Sequence, residues 1–279
     1  MTTTLTPSVS FTSAQAGNGG VTFARVLNSE WIKLTTLRST VWSYATVVLI
    51  SVGLAFLMSI SLNAEYLQDM PAEAQTSMLV QAATFGTFFG QLVIAVLGVL
   101  VISGEYMTGM IKSTLTAVPR RLPALFAKAV VLFVSSFVVG LVSAVGSYAI
   151  AAPILASKGV EANITSPDVY LPLVASALYL ACVSLFALGL GAIVRSSAGG
   201  IAAAVGLILI LPLTFAIAGL QWMADAAPYL MMNAGMSSFG QSAFTGESPL
   251  ETWQQIAVVL VWALVAFVAG AVLLKRRDA

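Results

Sequence analysis

The sequence predicts an all-α integral membrane protein with six transmembrane helices, and composition, apolar windows and charge placement each point there. Hydrophobic residues make up 59% of the 279 residues and charged residues 8%, against about 25% charged in an ordinary soluble domain. So few charges cannot supply the polar surface that a water-soluble fold of this length needs. Six stretches reach the roughly 20 mostly apolar residues that a spanning helix requires: about 41–62, 82–103, 126–152, 171–194, 200–220 and 254–274. With the N-terminus inside, eleven of the twelve basic residues fall on one side of these spans, leaving Lys158 alone on the other. That split places both termini in the cytoplasm of a bacterial inner membrane, because short basic loops are retained there.

Residues 1–20 are rich in Thr, Ser, Gly, Gln and Ala and lack Lys and Arg. They read as a disordered tail without the apolar core of a signal peptide, and residues 21–279 as one transmembrane domain. From Phe23 to Val41, Phe23, Val26, Leu27, Trp31, Leu34 and Val41 recur at helical spacing opposite Arg25, Ser29, Lys33, Thr36 and Thr40. This pattern predicts an amphipathic helix in the inner interface, where Trp31 and Trp42 suit the headgroup boundary. Spans two and three are joined by the largest inner connection, residues 104–128. In it a short helix over 105–118 is expected to stop at Pro119, with Pro123 restarting the chain. Arg195-Ser196-Ser197 and then Gly199-Gly200 separate spans four and five by a tight turn.

Several chemistries are excluded. The chain has no histidine and one cysteine, Cys182, which removes histidine bases, histidine metal ligands and Ser-His or Cys-His pairs. The expected spans carry no ionisable residue of the kind used in proton relays, apart from Lys128 and Arg195 near inner ends. No Gly-Lys dipeptide occurs, so no Walker A loop exists in this sequence. Any nucleotide-driven step therefore needs a second polypeptide, and no nucleic-acid partner is expected.

Four segments in order resemble one family. NSEWIKLTTLRSTVWS (28–43) is similar to the connecting helix of type-2 ATP-binding cassette (ABC) exporter permeases, especially actinobacterial ones. GEYMTGMIKSTLTAVPRR (104–121) resembles their coupling loop, VRSSAGGIA (194–202) their turn between spans four and five, and LLKRRDA (273–279) their basic C-terminal end. The resemblance implies a permease without catalytic residues that binds no cofactor. It implies a second permease copy, identical or related, and two ABC ATPase subunits that hold ATP and Mg. Coupling to the ATPase would fall to Glu105, Tyr106, Thr108, Gly109, Lys112, Pro119, Arg120 and Arg121. Glu30, Trp31, Lys33 and Arg38 would lie on the connecting helix. Where relatives carry a basic residue after Glu-Tyr, this chain has Met107. The resemblance also implies a partly re-entrant outer segment between spans five and six. Residues 221–253 fit that independently, since they are too apolar for a solvated loop and are broken by Pro228, Gly235 and Gly240. Export of a hydrophobic or amphipathic drug, lipid or peptide is the implied activity. An antibiotic-sensing or immunity module and a passive channel are the alternatives.

On the second span Thr84, Thr87 and Gln91 share one face beside Phe88. An unpaired amide in hydrocarbon costs several kcal/mol, so Gln91 is expected either to bond another helix or to line a wet substrate cavity between protomers. Gly86 and Gly90 form a small-xxx-small pair that would suit a dimer seam or internal packing.

Overall fold

A computed structural model describes residues 22–109, 121–160, 163–241, 246 and 248–276. Its regular elements are all helices, with no strand among the described residues. An N-terminal helix, α1 (Phe23–Thr36), is followed after one extended residue, Leu37, by α2 (Arg38–Ser61), the first span. Short α3 (Ala64–Gln68) and then α4 (Ala72–Thr84) lead into α5 (Thr87–Met107), so the second span is a broken helix far longer than its apolar window. The remaining spans are α6 (Arg121–Ala156), α7 (Pro167–Val194), a fifth built from α8 (Ser197–Val205), a π-helical turn (Gly206–Ile210) and α9 (Leu211–Ala218), and a sixth. Before that sixth span, α12 (Thr252–Arg276), lie α10 (Gln221–Ala226) and α11 (Met231–Ser238).

The bundle has two chemically distinct ends. One, here the basic end, gathers α1, the end of α5, the start of α6, the α7–α8 turn and the end of α12. Leu34, Ile102, Leu125 and Leu274 meet there in one buried cluster. At the opposite, acidic end, the Lys158 ammonium caps α2 by donating to the carbonyls of Ser59 (2.8 Å), Ile60 (3.0 Å) and Leu62 (2.6 Å). A cation at a helix C-terminus satisfies carbonyls that have no helical partner and opposes the helix dipole.

The amphipathic N-terminal helix forms as expected, but it stops at Thr36 instead of continuing to Val41. Its buried line is Val26, Glu30 and Leu34, three residues at i, i+4 and i+8 that face the bundle. Trp31 is about half exposed and Trp42 more so. The hydropathy windows missed α4 because Glu73, Gln75, Thr76, Ser77 and Gln81 dilute its average. Burial of Leu79, Val80, Ala82 and Ala83 beside α6 residues Ala144, Tyr148 and Ala151 makes it a helix all the same, a case of tertiary packing overriding average polarity. Between α4 and α5 the chain bends at Phe85-Gly86. Gly86 lies against Ser51 of α2 so closely that an added Cβ would stand 2.7 Å from the Ser51 Cβ, and Gly90 contacts Val47 in the same way. Within the protomer this small-xxx-small face packs on α2, the internal packing that was one of its two readings.

At the α7–α8 turn Arg195 adopts a left-handed conformation (φ 57°), and the Ser196 hydroxyl accepts from Gly199 N–H to start the next helix. The tight turn stands where Arg-Ser-Ser and Gly-Gly predicted it. After the fifth span, α11 enters the bundle. Met231 through Met236 are buried, and α11 packs on α12 and α7. Gly235 meets Tyr179, twelve residues along α7 from Pro167, or about 18 Å at 1.5 Å per residue. This depth is what the re-entrant reading of residues 221–253 requires.

Candidate functional site

At the basic end, four ionisable side chains from three helices close into a ring. The Lys128 ammonium of α6 donates to Glu30 Oε2 at 2.6 Å and to Glu105 Oε1 at 3.0 Å. Lys33, one turn beyond Glu30 on α1, donates to Glu30 Oε1 at 2.6 Å and to Glu105 Oε1 at 3.2 Å. The side chains of Glu30, Lys128 and Glu105 are 4%, 7% and 10% exposed, whereas Lys33 is 32% exposed. Two cations and two carboxylates leave the ring neutral. A buried charge persists only when it is paired and hydrogen-bonded in this way.

Burial alone would push the Glu30 carboxyl up, but the adjoining Lys128 and Lys33 ammonium groups outweigh it and hold the carboxyl below its ordinary range. Burial likewise works against the Lys33 ammonium, and Glu30 and Glu105 more than reverse it, so its pKa is raised. Each partner favours the ionised form of its neighbour.

Glu105 is therefore not the opening residue of a cytoplasmic helix over 105–118. It belongs to the last turn of α5, which continues through Met107 and breaks at Thr108-Gly109, with Gly109 left-handed at φ 72°. Tyr106 lies under Arg195, whose guanidinium carbon is 5.2 Å from the ring centroid. The hydroxyls of Ser103 and Ser197 are 2.9 Å apart. The same turn of α5 thus touches α1, α6 and the α7–α8 turn. Met107 and Thr108 are exposed beyond it. Arg38 opens α2, and Arg121 opens α6. Lys112, Pro119, Arg120 and most of the expected 105–118 helix lie outside the described residues.

Charge placement brought Glu30, Lys33, Glu105 and Lys128 to the same side of the membrane, but the pairing of Lys128 with the two acids was missed. A signal existed. Glu30 falls four residues after Val26 and four before Leu34, on the buried stripe of α1, and a buried carboxylate there demands a cation from a neighbouring helix.

Deeper in the bundle, Gln91 is fully buried and its side-chain oxygen accepts from the Tyr179 hydroxyl, while its Nε2 has no hydrogen-bond partner among the described residues. Thr84 donates to the Val80 carbonyl and accepts from Gln241 Nε2, which also reaches the Gln81 carbonyl at 2.8 Å. Thr87 is buried, and Phe88 packs on the central cluster. Of the two roles open to Gln91, the interhelical bond fits. In this conformation Gln91 has no exposed surface on the protomer. Two open clefts lie at the acidic end beside α4, one of about 670 Å³ against the end of α6 and one of about 810 Å³ against the start of α7. None of Thr84, Thr87, Phe88 and Gln91 lines either one.

Six apolar helices, an amphipathic helix tied to the bundle by an ion ring and a buried helix inserted between the last two spans define a multi-pass membrane subunit of the permease type. The family model described as ABC-2 family transporter protein matches residues 24–279, and the chain belongs to that family. It is the permease subunit of an ABC transporter, not its ATPase, and that family membership implies a partner ABC ATPase. A search of curated proteins finds no match.

Proposed function

We propose that this chain forms the membrane half of an ATP-driven exporter and carries an amphipathic or hydrophobic substrate outward by alternating access. Two copies, or one copy and a related permease, would bind two ATPase subunits on which ATP and Mg reside. The basic end faces the cytoplasm of a bacterial inner membrane, in keeping with retention of short basic loops. The observation that carries this reading is the ion ring, which ties α1, α5 and α6 together at the two ends of the 108–121 connection, the segment that would dock on the ATPase.

An ATPase pulling on that connection acts on the end of α5 and the start of α6 at once. Apolar contact alone is non-directional and lets helices slide. Lys128 shared between Glu30 and Glu105 makes the joint directional, so α1 follows α5 and α6 in place of lagging behind. ATP can bias the transport states only because its closure of the ATPases favours one arrangement of this joint over the other.

The test is coupling. Glu105→Ala and Gly109→Pro are expected to leave the protein inserted and bound to its ATPase but to lose substrate-stimulated ATPase activity and transport in proteoliposomes. Wild-type transport by both variants would remove the assignment.

A further inference from the structure

We infer that Tyr179 is the positioning residue through which movement of α5 reaches the re-entrant hairpin at the acidic end. The inference deepens the exporter reading and rests on it. Three contacts clamp the hairpin. Trp262 Nε1 of α12 donates to the Tyr229 carbonyl at 2.9 Å, just before α11. Gln241, just after α11, donates to the Gln81 carbonyl and Thr84 Oγ1 at the bend between α4 and α5. Between these pins, Gly235 lies against the Tyr179 ring, where an added methyl group would overlap ring carbons.

The ring is itself held from the other side. Its hydroxyl donates to Gln91 of α5, and both side chains are buried, with the ring also packed 5.9 Å from Phe239 just beyond α11. Gln91 lies fourteen residues before Glu105 on one unbroken helix, about 21 Å. Along that length α5 and α7 are in backbone contact: a Cβ at Gly98 would stand 2.7 Å from the Ser184 carbonyl oxygen, and one at Gly191 3.1 Å from that of Val99. Helices packed this closely move together. A shift of Glu105 within the ion ring therefore displaces Gln91 and Tyr179 as one body, and the Tyr179 ring pushes α11 at its single side-chain-free position. The hydroxyl–amide bond fixes the ring angle. Without it the ring packs, but its orientation no longer follows α5.

The test uses the full chain with its ATPase in lipid nanodiscs, on a Cys182→Ala background. Spin labels at 107 and 276 report the basic end, and labels at 66 and 222 report the acidic end, with and without trapping by ATP and vanadate. Both distances are expected to change on trapping in the parent. Tyr179→Phe keeps the ring and is expected to preserve the basic-end change while cutting the acidic-end change to less than half. The double variant Tyr179→Phe/Gln91→Leu leaves no orphaned polar partner. It is expected to regain stability without regaining the acidic-end change, which a merely structural role would restore. An acidic-end change of parental size in Tyr179→Phe, or equal loss at both ends, overturns the proposal. A parent that changes at neither end fails the exporter reading itself and is told apart from failure of Tyr179 alone.

Discussion

Replacing Lys128 with Met removes the more buried of the two cations that contact both carboxylates, Glu30 at 2.6 Å and Glu105 at 3.0 Å. The two acids are then left with Lys33 alone, which is 32% exposed and approaches Glu105 only to 3.2 Å. Breaking a buried pair by deleting one partner costs about 3–5 kcal/mol, most of it from the charge left behind. Glu30→Gln is expected to cost about 3 kcal/mol by the same argument, since Lys128 then keeps Glu105 as its only anion. The double variant Glu30→Gln/Lys128→Met deletes one charge of each sign and leaves Lys33 with Glu105 as a neutral pair. Its cost is expected to fall short of the summed single costs by about 2–3 kcal/mol, the upper part of the range for directly contacting residues. Equilibrium unfolding of the purified chain with SDS in mixed micelles gives all three values on one scale. Single effects that add to within about 0.5 kcal/mol would show that Glu30 and Lys128 act independently and that no ring exists.

The ring also sets a pH range. The Glu30 carboxyl is held below its unfolded value of 4.5, so its contribution is fully present above that pH and is lost as pH falls through the lowered value. The Lys33 pKa is raised above 10.5, so its contribution is present below 10.5 and is lost as pH rises through the raised value. The ring's share of stability, taken as wild type minus the double variant, is expected to stay flat between those limits; a step near pH 7 would contradict this. Gly86→Ala is expected to cost about 1–3 kcal/mol by forcing α5 from α2. Gly104→Ala, whose added methyl group meets nothing within 4 Å, is expected to be neutral or to stabilise the helix by less than about 1 kcal/mol in the same unfolding assay. Gln91→Leu orphans the Tyr179 hydroxyl and is expected to cost about 1–3 kcal/mol without altering which substrates proteoliposomes accumulate.

Span number and the acidic–basic division were legible because both follow from solvation of single residues, a property that each side chain carries with it. The α7–α8 turn was legible for a related reason, since Arg195, Ser196 and the two glycines each carry a local backbone or capping preference. What stayed hidden was pairing. Nothing local in Lys128 says that it meets Glu30, 98 positions earlier, and Gly86 looks the same whether a partner protomer or α2 fills the space beside it. Gln91 showed the intermediate case. Its need for a polar partner could be read from the cost of an unpaired amide, yet Tyr179 could not be chosen, because tyrosine is equally at home at a membrane interface. The α4 helix escaped notice because its polar residues and its buried Leu79, Val80, Ala82 and Ala83 average to an unremarkable hydropathy.

A ring of charges is a poor way to stabilise a helix junction, since well-packed apolar side chains of similar volume often do as well or better. Its advantage at this position is directional. In the proposed coupling role the basic end would hold α1 against α5 and α6 while the 108–120 connection is loaded, and an apolar seam resists separation far better than it resists sliding. The ring resists both, because each ammonium is shared between carboxylates on two different helices, α1 and α5. Its exposure is also uneven. Lys128, at 7%, has almost no water to replace a lost carboxylate, whereas Lys33, at 32%, has a partly solvated alternative. Under load the Lys33 contacts are the ones that can open and reclose at low cost, while Lys128 keeps the three helices in register.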